Sequence, residues 1–279
     1  LVRAAAKNYN DVTVISSTEQ YSELINELTI NKGYTSLKFR EKMSRLAFSE
    51  TAFYDSVISN YFNEITNTQF PKKKIIHANL IEKLRYGENA HQQSAIYSQK
   101  DNLGLIKLHG KTLSYNNYND VFSALSITKS FPKNVGTVII KHANPCGVSI
   151  LKDKLRSYKS ALACDPLSAF GGVVSCNFKV SKSLALELNK IFFEVIIGNG
   201  FEKNAVKILK TKKNLRLIDA SKFSLDKNLR FNSINTSVLI QSEDNKIFQK
   251  KNFRVVSKKK PSKLQFENLM FAFNICRFV

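Results

Sequence analysis

Three short apolar runs constrain this chain more than any other feature: VGTVIIK at 135–141, GVVSC at 172–176 and FEVII at 193–197. Each is too short for a core helix and rich in β-branched residues, the pattern of a strand buried on both faces. Around them the apolar spacing switches to a helical period, over 117–131, 153–163 and 181–191. Strands separated by helices predict an α/β fold on a mainly parallel sheet. SVLIQ at 237–241 reads as a last strand, and 262–278 as the beginning of a further helix.

The first third reads differently. DVTVIS at 11–16 has the pattern of a buried strand. Ser17 and Gln20 then fit a capping box for a helix ending near Asn31, Lys32 and Gly33. From Thr35 to Asn63, Leu46, Phe53, Val57 and Tyr61 recur at helical spacing with Tyr54 and Ile58 beside them, predicting a long amphipathic helix with its aromatics in the core. Residues 66–75, with Pro71 and the run Lys72-Lys73-Lys74, read as a linker between domains.

Composition narrows the class. Of 279 residues 43% are hydrophobic, which argues against disorder. Lys and Arg number 43 against 22 Asp and Glu, a net charge of +21, so the chain suits anionic partners without choosing among them. No apolar stretch reaches the roughly 18 residues a bilayer span needs, and no signal-peptide pattern is present. LVRAAAKN at the start reads as entry in mid-domain and LMFAFNICRFV at the end as a helix without a stop signal, so a piece of a longer protein is expected. Cys146, Cys164, Cys176 and Cys276 form no CxxC pair. The deaminase-like Pro145-Cys146 has Ser149 where a second cysteine belongs, and no H-x-E precedes it; no metal is expected.

In parallel α/β sheets, reactive groups gather on loops at the carboxyl ends of strands. Lys141-His142-Ala143-Asn144-Pro145-Cys146-Gly147 directly follows a predicted strand. A histidine there can act as a base near neutral pH, and a lysine can stabilise an oxyanion or donate a proton. A satisfied loop histidine beside a surface lysine fits the spacing equally well. In DPLSAFGG (165–172) the paired glycines allow backbone N–H groups to approach a ligand, and serve equally as a structural device before a strand. Glu194 sits within an apolar run and needs a donor, from a ligand or from a backbone amide. Arg85 and Tyr86, in LRYGENAHQ, can grip a phosphate or lie in surface coil.

Together with LVRAAAKN (1–8), GKTLSYNN (110–117), KHANPCGV (141–148), EVIIGNGF (194–201) and VVSKKKPS (255–262), these segments go beyond spacing. The chain resembles the bifunctional purine-biosynthesis family that joins AICAR transformylase to IMP cyclohydrolase (AICAR is 5-aminoimidazole-4-carboxamide ribotide). The resemblance implies residues 1–66 as the C-terminal part of a methylglyoxal-synthase-like cyclohydrolase domain and 67–235 as a cytidine-deaminase-like transformylase subdomain without zinc. Residues 236–279 would be a linker and the start of a second transformylase subdomain. It implies formyl transfer from 10-formyltetrahydrofolate, a co-substrate, to AICAR, giving formyl-AICAR, and then ring closure to IMP.

By motif match, His142 would be the base, with Lys141 meeting the oxyanion or protonating the departing folate nitrogen. Arg85 and Tyr86 would hold the nucleotide, with Gly171, Phe170, Asn144 and Glu194 as further substrate-binding positions. Lys7 matches the proton donor or acceptor of the cyclohydrolase site, whose remaining parts are not in this chain, so the chain alone is expected not to close the ring. A cytoplasmic homodimer, with no membrane or nucleic-acid partner, is also implied. Three positions depart from the family pattern: Ala90 for proline, Gly198-Asn199 for Ala-Pro, and Asn235-Thr236-Ser237 for paired glycines. Two other classes compete. A basic nucleic-acid-binding protein would use the lysine runs at 72–74 and 258–260, and a non-catalytic remnant would only fold.

Overall fold

The computed structural model describes residues 1–225 and 229–279, which divide into two compact units, Leu1–Asn79 and Leu80–Val279. The first is helical: α1 (Val2–Lys7), α2 (Tyr21–Ile30) and α3 (Leu37–Ile65). The capping box is present, with Ser17 accepting from Glu19 N and Gln20 Oε1 accepting from Ser17 N, on a short 3₁₀ turn that leads into α2. Gly33 takes φ +92° just beyond that helix, the left-handed conformation glycine adopts without a Cβ penalty.

Residues 11–16 are not a strand. A strand needs a neighbour to complete its hydrogen bonds, and the first unit offers helices. Val14 is buried, and Arg40 on α3 donates to the carbonyls of Tyr9, Asn10 and Thr35 just before and beyond the segment. The aromatics of α3 are also placed otherwise than predicted. Its buried side chains are Phe39, Met43, Ser44, Ala47 and Ser56, whereas Tyr54, Tyr61 and Phe62 are exposed. The α1–α3 contact is made through small residues, Ala6 against Ala47. The later turns of α3 are met within this unit at Phe53 and Asn60, by His77 and the Ile75 carbonyl, which leaves Tyr54, Tyr61 and Phe62 uncovered.

The second unit opens with a two-stranded sheet of β1 (Asn79–Leu84) and β2 (Ser94–Ser98). There follow β3 (Ile106–His109), α4 (Tyr115–Thr128), β4 (Thr137–Lys141), β5 (Asn144–Ser149), α5 (Lys154–Cys164), α6 (Pro166–Ala169), β6 (Val173–Cys176), α7 (Lys182–Leu188), β7 (Val195–Gly198), α8 (Lys203–Leu209) and β8 (Arg216–Asp219). Last come the hairpin β9 (Leu229–Ile234) and β10 (Ser237–Ser242), and α9 (Lys263–Cys276). Asn235 takes φ +52° at that hairpin turn, a left-handed conformation that Asn tolerates better than most non-glycine residues.

Six strands form one sheet in the order β3-β8-β7-β6-β4-β5. It is mixed, not mainly parallel. β6, β7 and β8 run parallel, but β4 is antiparallel to both β5 and β6, and β3 is antiparallel to β8. Alternate residues of β4 explain its continuous apolar run. Ile139 packs with Tyr158, Leu184, Leu188 and Phe193 on one face, while Val138 and Ile140 meet Val121, Ala124 and Leu125 of α4 on the other. Both faces are covered, so every residue from Thr137 to Ile140 is buried.

Candidate active site

The direction of β4 decides where the chemistry gathers. Because β4 is antiparallel to β6, its carboxyl end lies beside the amino ends of the parallel strands, with Ile140 paired to Val173. Lys141 ends β4, Gly171 and Gly172 precede β6, Glu194 precedes β7 and Arg216 opens β8. The cluster therefore sits at the amino rim of the parallel strands, not at the carboxyl rim that a parallel sheet would predict.

The segment after Lys141 is a two-residue hairpin turn rather than a long loop. Lys141 pairs with Asn144, and His142 and Ala143 between them take φ +51° and +59°. Two successive left-handed residues match a type I′ turn, whose usual occupants are Asn and Gly. Asn144 Nδ2 donates to the His142 carbonyl at 3.0 Å, and the His142 side chain is exposed. The strand then bulges at Cys146, so Ile140 faces Pro145 while Ile139 faces Gly147. Pro145 is tolerated because β5 is the sheet edge.

Lys141 Nζ donates to the Phe170 carbonyl at 2.5 Å, tying the end of β4 to the DPLSAFGG turn. Asp165 caps the short α6 by accepting from Ser168 N at 3.0 Å and from its hydroxyl at 2.6 Å, which hold its carboxyl below the usual range. The paired glycines are structural here. Gly171 N donates to Phe192 O at 2.8 Å and Gly172 N to Ala169 O at 3.0 Å, so neither N–H is free for a ligand. Gly171 takes φ +71°, and a Cβ on Gly172 would lie 2.6 Å from the Ile140 carbonyl. Phe170 is exposed, its ring 5.6 Å from that of Phe192.

Glu194 finds its donor in a side chain. Asn117 Nδ2 donates to Glu194 Oε2 at 2.7 Å, and Arg216 lies 3.6 Å from the same oxygen. Asn117 has a second role, because its Oδ1 accepts from Ser114 N while its own N–H donates to Ser114 Oγ, a capping box at the head of α4. Its neighbour Asn116 donates to the Glu88 carbonyl at 3.2 Å, which docks the Arg85–Gln92 turn onto the same helix end. In that turn Arg85 lies 5.6 Å over the Tyr86 ring, and Ser94 Oγ donates to the Tyr86 carbonyl at 2.6 Å. One turn further along α4, Asp120 Oδ1 accepts from Ala143 N at 2.7 Å.

The structure thus gathers Lys141, His142, Asn144, Phe170, Gly171 and Glu194 at one rim, with Arg85 and Tyr86 connected to it through α4. Lys7 is exposed in the last turn of α1, in the other compact unit. Sequence reasoning missed Asn116, Asn117, Asp120 and Arg216 as site residues. The Ser-x-x-Asn spacing of SYNN was the available signal for Asn117.

A family model described as the AICARFT/IMPCHase bienzyme matches residues 5–279. The chain belongs to that family. The bifunctional purine biosynthesis protein PurH of Bradyrhizobium diazoefficiens is 39% identical over 287 residues, covering 100% of this chain and 54% of the relative. Proteins of the same name from Leptospira biflexa serovar Patoc (39% over 282 residues) and Persephonella marina (40% over 291 residues) also match 100% of the chain and 55% of their own length. The chain spans about half the length of the curated relatives it matches. Every segment used above except the first residues of LVRAAAKN falls within the matched range.

Proposed function

We propose that the rim cluster is part of an AICAR transformylase site, and that in the whole protein it serves formyl transfer from 10-formyltetrahydrofolate to AICAR in de novo purine biosynthesis, with ring closure to IMP following. The observation that carries this reading is the lysine–histidine pair at the end of β4, tied by Lys141 to the Phe170 carbonyl and flanked by Glu194. An exposed imidazole beside a flexible cation suits acyl transfer. The AICAR amine attacks the formyl carbon and loses a proton to His142. The tetrahedral oxyanion is met by the Lys141 ammonium. When it collapses, the bond from carbon to the folate nitrogen breaks, and that nitrogen takes a proton from Lys141.

Arg85 and Tyr86 hold the nucleotide phosphate, and the Glu194 carboxylate accepts from substrate N–H groups. Phe170, Gly171 and Asn144 line the substrate, Gly171 through its lack of a side chain rather than through its N–H. Residues 1–66 belong to the cyclohydrolase half, of methylglyoxal-synthase-like fold, where Lys7 moves the proton of ring closure. Residues 67–235 form a cytidine-deaminase-like transformylase subdomain without zinc, and 236–279 lead into a second. The whole protein works as a cytoplasmic homodimer without nucleic acid. Among the described residues no helix is long and apolar enough to cross a membrane.

The deciding experiment is His142→Ala in the polypeptide as its organism makes it, assayed for formyl-AICAR from AICAR and 10-formyltetrahydrofolate. Loss of a general base lowers kcat about 10²–10⁴-fold. A variant that keeps more than about a tenth of the rate contradicts the assigned role of His142.

A further inference from the structure

His142 and Ala143 are successive non-glycine residues in the left-handed region, each adopting a conformation that costs an L-residue free energy. Such a turn persists only where its surroundings hold it, and the hairpin ladder alone offers little at this point. The register on the Lys141 side is broken by the bulge at Cys146, and β5 is the sheet edge. The added restraint comes from across the chain. Asp120, half-buried on α4, directs Oδ1 at the Ala143 N–H at 2.7 Å.

We propose that Asp120 is a positioning residue: by accepting the Ala143 N–H it fixes the left-handed turn that presents the His142 imidazole. α4 suits this task because its two faces of contact are set independently, Val121, Ala124 and Leu125 in the core and Asn117 on Glu194. The carboxylate thereby couples the frame of the base to the frame of the acidic substrate-binding residue. Burial raises the Asp120 carboxyl above its ordinary range, while the Ala143 N–H and the charges of His142 and Lys141 oppose that rise and Glu194 adds to it. A carboxylate kept in a place where burial disfavours its charge fits a role beyond packing.

The inference rests on the transfer reading of the site, and two readouts separate them. In the polypeptide as its organism makes it, Asp120→Ala lowers kcat about 10–100-fold with KM for AICAR little changed, the pattern of a displaced catalytic group rather than of lost substrate binding. Asp120→Asn keeps an oxygen for the Ala143 N–H and restores most of the rate. Adding Ala143→Gly to Asp120→Ala removes the left-handed penalty and recovers part of it. Independently of activity, hydrogen exchange at the Ala143 amide speeds up in Asp120→Ala and stays slow in Asp120→Asn. If Asp120→Ala leaves both kcat and Ala143 exchange unchanged, or if Asp120→Asn is as impaired as Asp120→Ala, the proposal is overturned. Should His142→Ala instead retain transfer, the functional reading fails, while the exchange measurement still decides whether Asp120 holds the turn.

Discussion

Gly147 offers the sharpest test of the frame beneath the site. It lies in β5 where α5 crosses, and a Cβ built on it would stand 1.9 Å from the Ala161 carbonyl oxygen and 2.8 Å from its carbon. Ordinary contact begins near 3.4 Å, so Gly147→Ala requires α5 or β5 to retreat by 3.4 − 1.9 = 1.5 Å. The obstacle is helix backbone, which no rotamer change can move. Overpacking in a core costs about 1–3 kcal/mol, and a backbone clash of this size belongs at the upper end, about 3 kcal/mol. For a folding unit of about 200 residues this lowers Tm by about 6–12 °C. Gly200→Ala is the control. Its φ of +92° strains an alanine, but the Cβ would meet only Lys179 Cγ at 3.7 Å, leaving a backbone penalty of about 1–2 kcal/mol. Urea and thermal unfolding of the whole chain, followed by circular dichroism, measure both. Gly147→Ala melting no lower than Gly200→Ala would refute the close β5–α5 approach.

Three further outcomes are expected. Phe193→Ala, removing a wholly buried ring 6.4 Å from Tyr158, destabilises the second unit by about 3–5 kcal/mol in urea titrations. Ser114→Ala removes the cap of α4 at the point where Asn117 reaches Glu194; it costs about 1 kcal/mol by the same measurement, and no change would show the cap to be energetically idle. Asp120→Asn shifts the pH dependence of stability. A carboxyl with a folded pKa above its ordinary 3.8 favours folding fully below that value and loses the contribution as pH rises through the folded pKa. The asparagine variant lacks this decline, so its stability relative to the parent increases as pH rises from below 3.8 through the folded pKa, and a flat difference contradicts the burial argument.

Most of the second unit was legible because burial on both faces leaves a plain mark. The apolar runs at 135–141, 172–176 and 193–197 became β4, β6 and β7, and the intervening helices fell within a few residues of their predicted ends. Strand direction was not legible. Alternating strands and helices suggest parallel pairing, and only a recognised tight turn after Lys141 would have reversed β4. His142-Ala143 lacks the Asn-Gly signature of such a turn because its support comes from Asp120, 23 residues away. The same distance hides Asp120, since nothing local marks a helix carboxylate as the partner of a remote amide. DVTVIS misled because β-branched residues report a half-buried setting rather than a strand as such, and Val14 is buried here without strand pairing. The lysine–histidine pair and Glu194 were legible as chemistry, and their convergence on one rim came from the fold.

The reversal of β4 also governs the electrostatics open to an anionic ligand. Since α7 and α8 follow β6 and β7, their amino ends, where peptide dipoles are positive, lie at the far rim. Among the helices that pack along the sheet, α4 begins beside the Lys141 cluster, and Ser114, Asn116 and Asn117 already engage that end. A phosphate arriving here meets guanidinium and ammonium groups on long stems instead of a rigid ring of amides. On the proposed function, affinity at this rim rests on side chains, which single substitutions can tune and added salt can weaken.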